Sequence, residues 1–562
     1  MSASGVVPQR HAPLARPFVV SKEGRRRRHG AIKLHDALLR SRLPFSTSAM
    51  SESTDSCPRA PHDRRWWLLT GVCIASFLGC IDFTIVNTAI PAIQIDLRAS
   101  VAQSQWIVTA FLIALCTGMI AAGRMADLYG RRRVLYVGLA VFGVSSIGAG
   151  LAAAIDVVIA FRFVQGIACA VLYTATTAIA SATFGEAERG RALGILFGSN
   201  GIGLAIGPVV GGLLVGALGW RAIFLANVPF VALGVALCRY GSRDVPDVKV
   251  RGRIDWIGLV LLAIVVPLLL LGITQGTHWG WASFRTQASF IVAVVLFAVL
   301  VRVERAASSP LIRFDLFSNG DFVRAGIATS SLAFFYCAAF FLMPLYLKIV
   351  AGFGDRMIGV MLLPTTALIA LLSPFVGRAT DRIGPVCFVA VGFVLLATSA
   401  AMQAEFPLPV SMGRVIAAFA VMGVGWACIL GPSTVLALAS VSEAGGGTAV
   451  GTSWTLHNLG GATGLSIATT VYQVFAGRWL SGALATRVGI DPKQLAALVS
   501  DPLSGGERLS RLGIAGDAVR DLVTQYFMHG YRACMVMLVA VSLFACCAVT
   551  ITRVARFRLS WL

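Results

Sequence analysis

Along most of this chain apolar residues do not alternate with polar ones but run together. Fourteen such runs fall at 66–90, 104–122, 134–154, 157–182, 191–217, 221–240, 255–274, 285–303, 322–347, 357–377, 385–404, 412–436, 447–476 and 532–553. Most exceed the roughly 20 residues a helix needs to cross a bilayer, so tilt or interfacial ends are expected. Hydrocarbon offers no partner to backbone N–H and C=O groups, so each run is predicted to be a helix that satisfies them internally. The pattern predicts an all-α polytopic membrane protein with fourteen spans.

Composition agrees. Of the 562 residues, 57% are hydrophobic and 13% charged, against roughly 25% charged in soluble domains. The net charge of +21 would suggest nucleic acid in a soluble protein. Here the arginines stand mostly between the apolar runs, so no nucleic-acid partner is expected. The 12 cysteines are scattered through the runs without metal or CxxC spacing, and are read as small packing residues rather than disulfides or zinc ligands.

Residues 1–62 carry RRRRH at 25–29 and no long apolar run. They read as a disordered basic cytoplasmic tail, with AIKLHDALLRSRL (31–43) as an amphipathic piece able to touch an anionic membrane surface. Met50 is an alternative start, and no secretory signal follows the arginines. With the N-terminus inside, the short inner connections hold seventeen Arg and Lys and the short outer ones six. The positive-inside rule then places both termini in the cytoplasm of a multi-pass cell-membrane (inner-membrane) protein.

The densest charge cluster, GRMADLYGRRRV at 123–134, is echoed by GRATDRIGPV at 377–386. Gly123, Arg124, Asp127 and Gly130 match Gly377, Arg378, Asp381 and Gly384. Arg162 and Arg414 share nearly the same offset, and ERGRALGI before the fifth run resembles SEAGGGTAVG before the thirteenth. A duplicated six-helix unit follows, the architecture of secondary transporters. The expected layout is a first bundle at 63–240, two linker helices at 241–310, and a second bundle at 311–556. The last includes an extracytoplasmic segment, 477–531, with short helices outside the membrane.

Ionisable residues inside the runs mark candidate sites. Asp82 lies deep in the first run. A carboxylate held between desolvation and a nearby cation can bind a proton on one side and release it on the other. Thr84 and Asn87 stand on neighbouring turns as partners. Arg162, beside Gln165, needs an acidic or carbonyl partner, and Asp82 is one. A snorkelling arginine at the outer interface is the alternative. The clusters at 123 and 377 read as a conformational latch of Gly123, Arg124, Asp127, Gly130, Arg131, Arg378 and Asp381, while Arg132 and Arg133 read as membrane anchors. Gly203, Gly207 and Gly211, with Pro208, give the fifth run a flat, bent face for close helix contact. Trp454, His457 and Asn458 of SWTLHNLGG (453–461), with Asn87 and Gln165, are candidate substrate or proton residues, His457 being either a titrating group or a satisfied hydrogen-bonding one.

The motifs together resemble the 14-helix drug:proton antiporters of the major facilitator superfamily, the EmrB/QacA type. GCIDFTIVNTAIP (79–91), GRMADLYGRRRV, RFVQG (162–166), GILFGSNGIGLAIGPVVGG (194–212), GWRAIFLANVP (219–229) and RIDWIG (253–258) carry the resemblance over roughly residues 64–556. His457, where many relatives have arginine, and Lys348, where glutamine is usual, depart from the pattern. The resemblance implies two pseudo-symmetric six-helix bundles plus two central helices, and export of small molecules in exchange for protons by alternating access. It also allows for a periplasmic adaptor protein as partner.

The run interiors from the ninth to the thirteenth lack Asp and Glu, which points to neutral, anionic or monovalent lipophilic substrates. An apolar cavity of Phe334, Phe335, Phe340, Met343 and Trp454 would suit them. No cofactor, metal or enzyme constellation is apparent, and no Walker loop. Proton symport, a dedicated metabolite or siderophore exporter, and a non-transporting receptor or scaffold remain as alternative functions.

Overall fold

The computed structural model describes residues 62–559 apart from 100, 244–251, 253, 308–309, 409, 443–444, 485–498 and 500–516. The basic tail and its amphipathic piece lie outside the described residues, as does most of the expected outer segment. All the regular structure described is helical.

The N-terminal half comprises α1 (His62–Asp96), α2 (Val101–Tyr129), α3 (Arg131–Gly150), α4 (Ile155–Thr183), α5 (Arg189–Leu218), a short α6 (Arg221–Leu225) and α7 (Asn227–Gly241). Two linker helices follow, α8 (Trp256–Trp279) and α9 (Phe284–Ala306). After a 3₁₀ turn at Phe314–Ser318, the C-terminal half comprises α10 (Gly320–Ile349), α11 (Asp355–Ile383), α12 (Pro385–Ala404), α13 (Met412–Ala439), α14 (Gly446–Leu484) and α15 (Asp517–Leu559).

Thirteen helices among the described residues are long and apolar enough to cross a membrane. The fourteenth expected span is present as α14, a 39-residue helix. Its Ser, Thr, His and Asn residues lower its hydropathy, and most of them are buried against other helices, whereas Leu465, Ile467, Val474 and Phe475 are exposed. The last two helices also reach further than the apolar runs, to Leu484 and from Asp517. The linker helix α8 packs against both α2 and α14. Leu262, Val266 and Leu270 of α8 share an apolar cluster with Cys116 and Ile120 of α2, against Leu459 and Ala462 of α14. The linker hairpin therefore covers a joint between the two halves.

Glycine contacts fix the internal register. Gly190, Gly194, Gly203 and Gly207 of α5 correspond to Gly447, Gly451, Gly460 and Gly464 of α14, a constant spacing of 257 residues. In each helix the first pair meets the opposite half, Gly377 and Ser373 of α11 or Gly123 and Met119 of α2. The second pair meets a helix of its own half, Phe77 and Thr84 of α1 or Ser330 and Phe334 of α10. A Cβ would collide with backbone at six of these positions, with the Thr84 side chain at Gly207, and would press on Cys80 and Phe77 at Gly203, so glycine is what allows the helices to touch. Helices α5 and α14 thus bind the halves together near the arginine clusters, then part toward their own sides.

Candidate functional site: a buried ion pair and two cross-half latches

Asp82 of α1 is fully buried and ion-paired with Arg162 of α4, itself 1% exposed. Four helices, α2, α3, α4 and α7, supply the remaining partners. Gln165 Nε2 (3.2 Å) and Asn227 Nδ2 (3.1 Å) donate to Asp82 Oδ1. Both amides also donate to Ser146 Oγ of α3, at 2.7 and 3.3 Å. Arg162 donates to Gln165 Oε1 (2.9 Å) and the Ile107 carbonyl (3.3 Å), and its guanidinium lies 4.1 Å from the Phe111 ring centroid of α2. A buried ion pair repays its desolvation only when its remaining lone pairs and protons are satisfied. This one is held by helices α1, α2, α3, α4 and the start of α7.

The expected neighbours on α1 are not part of it. Thr84 Oγ1 donates to the Cys80 and Ile81 carbonyls, and exposed Asn87 donates to Phe83 O at 3.3 Å. Both bond their own helix and turn away from Asp82. Asn227 and Ser146 take the places expected of them.

Among the described residues the other half has no such pair. Gly203 lies on Phe77 O as Gly460 lies on Ser330 O, which equates Asp82 with Phe335. Gly166 lies on Phe111 O as Gly423 lies on Thr365 O, which equates Arg162 with Phe419 and Gln165 with Met422. All three counterparts are buried in the largest apolar core. Arg414, the partner of Arg162 by sequence offset, stands exposed at the start of α13. The helix-by-helix register displaces it, because connection lengths differ between the halves.

At the arginine-rich end the two halves cap each other. Asp127 accepts from Gly447 N (2.9 Å), Thr448 N (2.7 Å) and Thr448 Oγ1 (2.8 Å) at the start of α14. Asp381 accepts from Gly190 N (2.7 Å) and Arg191 N (3.0 Å) at the start of α5. Each carboxylate ends a helix in one half and meets the unsatisfied N–H groups and positive dipole end of a helix in the other. Arg131 lies 3.6 Å from Asp127 and donates to Ala178 O at 3.2 Å. Gly130 and Gly384 turn the chain at φ of 99° and 97°, conformations that favour glycine. Arg124 is buried beside this cluster, whereas Arg378 is exposed and outside it. Arg132 donates to Ser242 O within its own half.

Midway along the molecule an aromatic seam joins the halves. Tyr173 of α4 stacks on Trp454 of α14 with centroids 5.4 Å apart, and Phe197 of α5 approaches the same ring. Trp454 meets His457 edge-on at 4.9 Å; Tyr336 tilts onto His457 and stacks on Trp426 at 4.3 Å. His457 Nδ1 lies 3.1 Å from the Thr329 carbonyl, and Nε2 lies 3.3 Å from Tyr336 Oη. Thr329 Oγ1 also lies 3.0 Å from Nδ1, so both ring nitrogens have hydrogen-bond partners. Asn458 Nδ2 donates to Trp454 O (2.8 Å) and Met119 Sδ (3.3 Å), again across the halves. Trp426 Nε1 is buried with no hydrogen-bond partner among the described residues. Of the expected cavity residues, Phe335 and Met343 are core instead.

The Major Facilitator Superfamily pattern matches residues 72–465. The chain belongs to the Major Facilitator Superfamily. One relative is the tetracenomycin C resistance and export protein of Streptomyces glaucescens, 31% identical over 443 residues, covering 77% of this chain and 81% of the relative. Another is the multidrug resistance protein Stp of Mycobacterium tuberculosis, 32% identical over 433 residues, covering 76% and 79%. Among solved structures, the human organic anion transporter MFSD10 aligns with a TM-score of 0.55 at 14% identity, over 87% of this chain and 100% of that one. The proton:xylose symporter XylE aligns at 0.55 and 12% identity, over 86% and 94%. These structural likenesses establish the fold alone.

As a superfamily member the chain is a multi-pass membrane protein with the two-bundle fold. The α5 motif sits where its small residues matter: Gly203, Gly207 and Gly211 press on Cys80, Thr84 and Thr88 of α1, while Pro208 is exposed. The helix carrying Asp82 is thereby in backbone contact with the helix that Asp381 caps.

Proposed function

We propose that the chain is a proton-coupled exporter of lipophilic small molecules that opens alternately on two sides. The observation that carries this reading is the Asp82–Arg162 pair, sealed within one half and replaced by Phe335 and Phe419 in the other. A carboxylate fully buried in hydrocarbon surroundings is costly and serves function by default. A fully satisfied pair differs sharply between its two protonation states.

When Asp82 takes a proton, its attraction for Arg162 falls and the guanidinium must find carbonyls or Gln165 instead. Breaking one side of a buried pair costs about 3–5 kcal/mol. One charge crossing 100 mV supplies about 2.3 kcal/mol, and a pH gradient adds to it. The change has a route outward. It moves α1, α1 bears on α5 through Gly203, Gly207 and Gly211, and the start of α5 is held by Asp381 of the opposite half. In the present state both latches are made, so the arginine-rich end is closed. By the positive-inside bias that end faces the cytoplasm.

The aromatic seam is the candidate substrate surface. Trp454, Tyr173, Tyr336 and Trp426 offer stacking faces, and Trp426 Nε1 offers a donor. The C-terminal half places no carboxylate there, which favours neutral, anionic or monovalent substrates. The relatives named for tetracenomycin C export and multidrug resistance support export of such compounds. Efflux of a lipophilic dye from proteoliposomes tests the reading. Export that collapses with a protonophore and in Asp82→Asn supports it. Normal efflux in Asp82→Asn removes Asp82 from the mechanism, and dye uptake driven by the proton gradient indicates symport instead.

A further inference from the structure

At the arginine-rich end a half-open cavity lies on the joint between the two halves. Its enclosed part is small, about 20 Å³, and opens through a wide mouth. Arg131, Ser181 and Arg189 line it from the N-terminal half; Leu438, Ser442 and Gly446 line it from the C-terminal half. Arg189 is the residue the latches leave over. The residue is 9% exposed, yet its side chain has no hydrogen bond or ion pair among the described residues, and its Nε is sealed from water without a partner. Asp381 is within electrostatic range, but both its carboxylate oxygens are taken by Gly190 N and Arg191 N. Both Asp127 oxygens are likewise taken by the start of α14.

Position sharpens the point. Arg189 is the first residue of α5, where the helix dipole disfavours a cation. A buried guanidinium at the positive end of a helix, facing a cavity with a second arginine and two serine side chains, has no anion bonded to it among the described residues. A tetrahedral oxyanion suits planar guanidinium forks, hydroxyl donors and a nearby helix start.

We infer that this cavity binds a phosphate group, from inorganic phosphate or a phospholipid headgroup, and that its occupancy favours closure of the arginine-rich end. The second clause follows from which residues line the site. Arg189 and Ser442 belong to different halves, so separating the halves dismantles it. A ligand that binds one state alone shifts the balance toward that state. This clause rests on the alternating opening proposed above; binding itself does not.

The test uses the full chain in neutral detergent with radiolabelled inorganic phosphate. Saturable binding is expected, and loss on the order of tenfold in Arg189→Gln. Ser442→Asp places a tethered carboxylate in the cavity and is expected to abolish phosphate binding while keeping the protein folded. In nanodiscs, displacement of phosphate by phosphatidylglycerol but not by phosphatidylcholine identifies a lipid headgroup as the occupant. Undiminished phosphate binding in both identifies the free anion.

Spin labels at Glu186→Cys and Ile383→Cys, in a background lacking the other exposed cysteines, read closure. Phosphate is expected to enrich the short distance over a chloride control of equal ionic strength, and Ser442→Asp to show it without phosphate. Absence of saturable binding, or equal binding in Arg189→Gln, overturns the site and leaves the transport reading intact. Binding without any change in distances overturns the link to closure. Labels that never separate under any condition contradict the alternating-opening reading instead.

Discussion

Asp82 and Phe335 occupy equivalent places in two related halves, one carrying a carboxylate and the other a phenyl ring. The same register sets Arg162 against Phe419. The duplicated frame therefore holds one half with a buried ion pair and one with apolar side chains at the same places. This asymmetry gives Asp82→Asn two expected consequences. Proton-driven efflux is lost, while the hydrogen bonds from Gln165 and Asn227 keep an acceptor. Thermal unfolding of the purified protein falls by less than in Asp82→Ala, which strands Arg162 at a cost of about 3–5 kcal/mol. Replacing both partners, Asp82→Leu with Arg162→Met, restores the stability and not the transport.

Asp127 and Asp381 each accept from the helix start of the opposite half, so their removal should act alike. Losing a capping carboxylate costs about 1 kcal/mol, roughly a fivefold change in the ratio of closed to open forms. Distance measurements across the arginine-rich end should show that shift in Asp127→Asn and in Asp381→Asn, with additive effects in the double variant. A large effect of one and none of the other would rule out the paired arrangement.

Gly377 lies against Gly190 O and Gly194 Cα, with no room for a side chain. Gly377→Val is expected to force the halves apart at this end and to reduce efflux on the order of tenfold. Arg378→Gln, one residue on but exposed, should leave efflux within about twofold of the parent. Transport assays on the pair separate contact from charge.

Trp426→Phe keeps a ring against Tyr336 and removes the unpartnered indole N–H. For substrates with a hydrogen-bond acceptor, KM should rise roughly three- to tenfold. For substrates without one it should change little. A uniform effect on both classes would place the indole in packing rather than in recognition.

Much of this was legible in the sequence, and the reasons for the rest are physical. Deep carboxylates are conspicuous in apolar runs, so Asp82, Arg162 and Gln165 stood out. Asn227 and Ser146 did not, because small polar residues are common in such runs and their role depends on helices far apart in the chain. The latches were half visible. Asp127 and Asp381 could be named, but their acceptor sites are backbone N–H groups, which carry no residue identity. Only the likeness of ERGRALGI to SEAGGGTAVG hinted at them. Thr84 and Asn87 misled because proximity along a helix does not fix where side chains point. Arg378 misled because a repeated motif can preserve a residue while the fold leaves it in solvent.

Proton release on substrate binding tests the central claim most directly. A lipophilic dye that the protein exports is added to purified protein in weakly buffered solution near neutral pH, and the change in pH is recorded. Proton release by the parent protein, absent in Asp82→Asn although the dye still binds, is the predicted result. Undiminished release from Asp82→Asn would contradict it.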